Sequence, residues 1–256
     1  MKIKHFDDKI SFLEYLFDSS QNKIQTILSD YLFHETYMQF IHQKLSILEK
    51  QGIQPNRLGN EKGEIIYSCI RHLRPSIVVE TGVAAGFSSS CTLMGLMDND
   101  YGRLISVDYP NYKSGFKKIA RDFKHKGIVE TLSYPGLRHI LGYFIKQNYH
   151  IPKGEKSGWA IPGELKKYWR FYNGLSKNIL PNIISKTNSV DIFFHDSDHS
   201  EENMLFEFRL IWPFISDNNI ILSDDVNINN AFKIFCGEIK YKKALIYKGE
   251  FGAILK

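Results

Sequence analysis

Between residues 76 and 224 the chain alternates short β-rich runs with helical stretches, and nothing else in it constrains the fold as strongly. The runs are SIVVE (76–80), RLISVD (103–108), WRFYNG (169–174), VDIFFH (190–195) and NIILSD (219–224). Apolar periodicity predicts helices over 87–97, 113–125, 177–186 and 200–215. Strands separated by crossover helices pair in parallel, which predicts an α/β, doubly wound sheet. Two last runs, KALIYKG (243–249) and FGAILK (251–256), are joined by a turn too short for a crossover. They predict a C-terminal antiparallel hairpin. The expected sheet therefore has seven strands and is mostly parallel.

Residues 8–50 read differently. Leu13, Leu16 and Phe17, then Ile27, Leu28, Tyr31 and Leu32, recur at helical steps. The Gly-, Pro- and Asn-rich stretch 51–60 breaks this pattern, and a helix from Glu61 leads to Pro75. The expected organisation is an N-terminal helical extension over 1–55 and a Rossmann-like domain over 56–256. Residues 133–168, with Pro135, Pro152 and Pro162, are too long for an ordinary connection and predict an inserted segment, either a lid or a surface excursion. The net charge of +5 is mild and spread along the chain, so it suits anionic ligands without requiring nucleic acid. The basic stretch 113–127 reads as the solvated face of a helix. Cys69, Cys91 and Cys236 lie far apart with no metal or disulfide spacing, which suits a reducing, cytoplasmic setting. No signal peptide, membrane span or membrane partner is expected. The N-terminal helices are candidates for pairing subunits in a homo-oligomer.

The first predicted strand runs into TGVAAGFSSS (81–90), and strand, glycine loop, helix is a nucleotide-binding order. Gly82 and Gly86 permit a sharp turn and a close ligand approach. The helix after Phe87 offers unpaired N–H groups, and Ser88, Ser89 and Ser90 are candidates to cap it. Asp108 ends the next strand, where an acid can accept hydrogen bonds from both hydroxyls of a ribose. The spacing is G-x-x-x-G, which lacks the middle glycine of the dinucleotide fingerprint and counts against a nicotinamide cofactor. No G-K-[ST] follows, so a P-loop is excluded.

VVETGVAAGFSS (78–89) together with ISVDYP (105–110) resembles motifs I and II of the class I S-adenosylmethionine-dependent methyltransferases. The resemblance continues through WRFYNGLSKNILP (169–181), VDIFFHDSDHSEENMLFE (190–207) and NIILSDDVNINNAF (219–232). These are similar to the catechol-type O-methyltransferases, and more so to the bacterial methyltransferase 24 or cephalosporin-hydroxylase-like group. The resemblance implies that Glu80 and the loop Gly82–Ala84–Gly86 face the methionine part of S-adenosylmethionine. It places Ser88 near the carboxylate of that cofactor, Asp108 on its ribose, and Leu175 and Ser176 beside its adenine. An ammonium, a carboxylate and a diol call for an acid, N–H donors and a bidentate carboxylate respectively.

Asp196, Asp198, His195 and His199 follow one strand, and Asp224 and Asp225 follow the next. Converging acids repel unless protonated or shared by a cation, and hard oxygen ligands suit Mg²⁺, Mn²⁺ or Ca²⁺. The catechol-type resemblance implies Asp196, Asp224 and Asp225 as ligands of a divalent cation such as Mg²⁺, with Asp225 standing where that family has Asn. Asp198 and Asp225 have an alternative reading as caps of the following turn or helix. His195 and His199 are four apart on a strand and its loop, not on a helix, so joint zinc ligation is not expected. His199 matches a position that often carries a basic group near the acceptor oxygen. It is the candidate general base beside Asp196, with activity expected to rise through its ordinary pKa of about 6.5. Asn229, Asn230 and Phe232 are candidate pocket residues.

The leading functional expectation is therefore metal-assisted O-methylation of a small molecule or sugar. The alternatives are a catalytically silent cofactor-binding regulator on the same fold and a nicotinamide-dependent oxidoreductase. A hydroxylase would need a redox-metal spacing that the sequence does not show.

Overall fold

The computed structural model describes residues 2–50, 59–109, 151–152 and 155–256. The predicted helix 113–125, the basic stretch 113–127 and the first part of the insert lie outside the described residues. Three N-terminal helices, α1 (Lys9–Phe17), α2 (Gln21–Leu32) and α3 (Glu35–Glu49), precede α4 (Asn60–Leu73). Asp8 starts α1 by accepting the backbone N–H of Ser11 at 2.7 Å, which satisfies one of the donors a helix start leaves open.

Outside the stretch between the predicted strands 103–108 and 169–174, strands and helices alternate among the described residues as the sequence predicts. They are β2 (Ile77–Thr81), α5 (Phe87–Asn99), β3 (Arg103–Asp108), β4 (Trp169–Asn173), α6 (Ser176–Ile184) and β5 (Val190–His195). After these come α7 (Glu201–Ile211), β6 (Ile215–Ser223), α8 (Ala231–Glu238), β7 (Lys243–Tyr247) and β8 (Phe251–Leu255). All seven expected strands are present, and β7–β8 is the expected antiparallel hairpin. An eighth strand, β1 (Lys4–Phe6), adds itself in parallel to the outer edge of β7. Its three residues, KHF, are too few to show a period.

The strand order is β1-β7-β8-β6-β5-β2-β3-β4. The chain winds outward from β2 through β3 to β4, then returns beside β2 as β5 and winds the other way. The reversal between β2 and β5 is the switch point at whose carboxyl ends open α/β sheets bind ligands. Register fixes what meets there: Thr81 lies opposite Val107 and His195, and His195 lies opposite Ser223. The residues one step further, Gly82, Asp108, Asp196 and Asp224, therefore share one rim of the sheet.

Side chains alternate between two cores. Val78, Ile192, Phe194, Ile220 and Leu222 pack with α1 to α5, whereas Val79, Phe193 and Ile221 pack with α6, α7 and α8. The N-terminal helices thus share one apolar cluster with α4, α5 and one face of the sheet. The second part of the insert joins the same cluster through Ile151, Trp159, Ala160, Ile161 and Leu165.

Candidate functional site

The loop after β2 is shaped by what surrounds it. Gly82 has φ +85° and donates its N–H to the carbonyl of Val107 at 2.9 Å. A Cβ on it would lie 1.9 Å from the carbonyl oxygen of Asp196, so this position tolerates no side chain. Gly86 (φ +98°) starts α5, and the Ile161 side chain and Gly158 backbone close over it. The predicted insert therefore meets the glycine loop: Gly158 and Ala160 donate their N–H groups to the carbonyls of Ala84 and Ala85, both at 2.9 Å.

Beneath the loop, Glu80 is 1% exposed. Its Oε2 accepts hydroxyls from Ser89 at 2.6 Å and Ser106 at 2.7 Å, while Oε1 is buried with no hydrogen-bond partner. Burial pushes this carboxyl up to about 7, against the pull of the two hydroxyls. The serines of α5 do not cap it as expected. Ser89 is turned down onto the buried Glu80 carboxylate, and Ser90 donates to the Gly86 carbonyl at 2.7 Å. Ser88 sits buried in the first turn of α5.

Asp108 stands at the end of β3, where its Oδ2 accepts the N–H of Ala84 at 3.1 Å and the hydroxyl of Ser157 at 2.7 Å. Burial raises its pKa, and these donors oppose the shift. Leu175 and Ser176 begin α6 beyond the end of β4; Leu175 is exposed, and the Ser176 hydroxyl reaches Asn203 at 3.3 Å.

The acids after β5 and β6 do converge, but on a residue that the sequence reading passed over. Lys62, in the first turn of α4, lies between them with its Nζ 2.9 Å from Asp196 Oδ2 and 2.6 Å from Asp224 Oδ2. Its side chain is 7% exposed. Burial opposes its charge, and the two carboxylates outweigh burial and hold its pKa above that of an ordinary lysine. Burial and the neighbouring charge of Asp224 push Asp196 up, with Lys62 opposing. Asp224 is held below its usual range, because the ammonium outweighs burial there.

His199 faces this group, with Nε2 3.9 Å from Asp196 Oδ1 and Nδ1 3.5 Å from Asp225 Oδ2. Its buried Nε2 has no hydrogen-bond partner. Burial, then the nearby His195, lowers its pKa to about 4 despite the carboxylates, so it is a neutral imidazole well below the expected 6.5. His195 is fully buried and bonds Glu207 Oε2 through Nδ1 at 2.6 Å. Thr81, Ser197 and Asn203 also donate to Glu207, which fastens α7 to the end of β5. Asp198 accepts the Ser200 N–H at 3.0 Å, the turn-capping alternative. Asn229 holds the His199 carbonyl at 2.8 Å, and Phe232 is buried in the core of α8.

A methyltransferase-domain family model matches residues 79–226, more than half of the chain and all of this rim. The chain belongs to this methyltransferase family. Solved structures with the same fold include an O-methyltransferase from Bacillus cereus in complex with SAH, at 14% identity and TM-score 0.53, covering 91% of this chain and 100% of that one. The O-methyltransferase TomG from Streptomyces achromogenes, in complex with SAM, matches at 13% identity and TM-score 0.52, covering 84% and 88%. An SAH-bound methyltransferase from Podospora anserina, PaMTH1, matches at 13% identity and TM-score 0.50, covering 84% and 87%. No curated protein sequence matches the chain.

The residues of this methyltransferase fit an S-adenosyl cofactor. The orphaned Oε1 of Glu80 suits an ammonium, the bare cradle at Gly82 suits a close approach, and Asp108 suits a diol. They do not fit the expected divalent cation. Asp196 and Asp224 both turn an oxygen onto Lys62, and among the described residues no three His, Cys, Asp or Glu side chains gather as a metal-holding group. Asp225 adopts φ +51°, and its Oδ2 lies 3.5 Å from His199 Nδ1.

Proposed function

We propose that this methyltransferase moves the methyl group of S-adenosylmethionine to a hydroxyl of a small molecule or sugar. The observation that carries the reading is the buried, unpartnered Oε1 of Glu80 beside the glycine loop, with Asp108 at the next strand end. The SAH and SAM complexes of the two O-methyltransferases of the same fold support it.

When bound, S-adenosylmethionine would supply an electrophilic methyl group on a sulfonium whose leaving group is a neutral thioether. Glu80 would hold the ammonium end and Asp108 the ribose end, with Leu175 and Ser176 beside the base. These contacts would hold the cofactor on the rim that also carries the ends of β5 and β6. Such alignment supplies about 7–11 kcal/mol of a transfer barrier. His199, neutral and unpartnered at Nε2, takes the acceptor hydroxyl's proton as the new carbon–oxygen bond forms. Asp196 and Asp224 fix the Lys62 ammonium beside it. No metal ion enters this scheme, because the donor set is already closed on lysine.

Three buried free cysteines support the expected cytoplasmic setting, and among the described residues no helix is long and apolar enough to cross a membrane. Pairing of subunits through the N-terminal helices is supported by Leu32, Phe33, Phe40 and Ile47, exposed around α2 and α3.

The test is calorimetry with S-adenosylhomocysteine. Binding is expected, weakened at least about tenfold by Asp108→Ala through loss of a charge-assisted hydrogen bond. Preference for NADH, or no binding of either ligand, overturns the reading.

A further inference from the structure

We propose that the ammonium of Lys62 is the resident cation of this site, filling the place between Asp196 and Asp224 that a divalent metal would otherwise take. The acceptor half of this inference, that Lys62 also meets the acceptor's oxygen, rests on the proposed transferase reading. The cation half stands without it.

Three observations lead there. The first is geometry: Nζ lies 2.9 and 2.6 Å from oxygens that follow two adjacent strands, on the rim that also carries Gly82 and Asp108. A divalent ion between these two oxygens would stand where the ammonium stands, and two cations do not occupy one such place together. The second is burial and anchorage. The neighbouring Ile65, Ile66, Cys69 and Ile70 of α4 are buried against Cys91, Leu93 and Met94 of α5, so Lys62 is delivered from a packed helix, not a mobile surface arm. Its Nζ also lies over the Phe194 ring, 5.3 Å from the centroid, and a ring face suits a cation.

The third is donor arithmetic. An ammonium carries three N–H groups and two are taken by the carboxylates, which leaves one for an acceptor's oxygen. His199 Nε2, buried and without a hydrogen-bond partner, borders the same space through Asp196. An oxygen placed between Lys62 and His199 would receive a hydrogen bond from one and give its proton to the other. A monovalent cation on a fixed tether performs the orienting role here, and removing divalent ions from solution leaves it in place.

The test uses Mn²⁺ as a paramagnetic probe of the purified chain, with S-adenosylhomocysteine calorimetry in parallel. Wild type is expected to bind no Mn²⁺ at this place. Lys62→Ala is expected to bind one Mn²⁺ per chain, and Asp224→Asn in that background to lose it. Should Lys62→Ala be poorly folded alone, Mn²⁺ is expected to raise its melting temperature. One Mn²⁺ bound by wild type and lost in Asp224→Asn overturns the proposal. So does a Lys62→Ala chain that neither binds Mn²⁺ nor is stabilised by it. For the acceptor half, transfer of labelled methyl from S-adenosylmethionine to a panel of phenols and sugars is expected to persist in EDTA and to fall at least tenfold in Lys62→Met, whose S-adenosylhomocysteine affinity is kept. Transfer abolished by EDTA, or unchanged in Lys62→Met, overturns that half. Failure of wild type to bind S-adenosylhomocysteine sinks the transferase reading alone, since the Mn²⁺ results do not depend on it.

Discussion

In the proposed scheme Glu80 ties cofactor capture to pH. Its carboxyl is buried at 1% exposure and its pKa is raised to about 7. Pairing Oε1 with an ammonium requires the ionised form, so below pH 7 the ligand must expel a proton as it binds. Apparent affinity then falls about tenfold per pH unit on the acid side, and about tenfold in all between pH 8 and pH 6, which is about 1.4 kcal/mol. The ligand's own α-amino group, next to its carboxylate, loses its charge at a higher pH than Glu80 gains one, so affinity also falls on the far alkaline side. Calorimetric titration with S-adenosylhomocysteine, repeated in buffers of different ionisation enthalpy, reads this directly. About 0.9 proton should be released per ligand bound at pH 6. Glu80→Gln keeps an acceptor for Ser89 and Ser106 but cannot ionise. It should lose the acid limb, keep the alkaline limb and bind more weakly at pH 7.5.

The same shift has a consequence for stability, with the opposite preference. A carboxyl whose folded pKa lies above its unfolded value contributes stability below about pH 4.5, and that contribution is lost as pH rises through about 7. The ligand-free Glu80→Gln chain should therefore gain on wild type by up to about 3 kcal/mol between pH 4.5 and pH 8 in urea unfolding. Wild-type binding that is flat from pH 6 to 8, or an acid limb that persists in Glu80→Gln, would refute the assignment of the ammonium to Glu80.

Gly82→Ala places a Cβ 1.9 Å from the Asp196 carbonyl at a positive φ, and should lower unfolding free energy by at least about 2 kcal/mol and abolish cofactor binding. A variant with wild-type urea midpoint and affinity would show that the loop is not held against β5. His199→Gln should reduce methyl transfer by about 10²–10⁴ while S-adenosylhomocysteine affinity stays within a few-fold. With its pKa lowered to about 4, wild-type kcat should be flat across neutral pH and decline only as pH falls toward 4. A wild-type profile that rises through about 6.5 would contradict the burial of this imidazole.

Much of the fold is legible in the sequence because the central strands are buried on both faces. Such strands appear as continuous apolar runs bounded by turn residues. RLISVD and VDIFFH therefore match β3 and β5 residue for residue. The rim is legible for a related reason: in a parallel sheet the carboxyl end of each run is a fixed place, so Gly82, Asp108, Asp196 and Asp224 are brought together by topology alone. Where a feature depends on side-chain direction, the pattern is silent. Three serines after Gly86 read as helix caps, yet Ser89 points inward because Glu80 needs its hydroxyl more than the helix start does.

Lys62 is the sharpest case. In sequence it stands in NEKGE, flanked by Glu61 and Glu64, and looks like the solvated first turn of an amphipathic helix. Its real partners are 134 and 162 residues away, so no local period betrays them. The surrounding acids do carry a signal, because a buried carboxylate pair demands positive charge. Charge balance alone, however, does not say whether that charge is an ion from solution or a side chain from another part of the fold. Only the approach of α4 to the ends of β5 and β6 decides it. A lysine supplies one positive charge where Mg²⁺ supplies two, and burial with the charge of Asp224 pushes Asp196 toward its protonated form, so the ammonium answers chiefly Asp224. The negative charge of Asp224 near His199 favours the imidazolium that forms as the acceptor gives up its proton. In the proposed scheme a lysine in place of a divalent ion activates the oxygen less, and, with one charge instead of two, it depresses the base less.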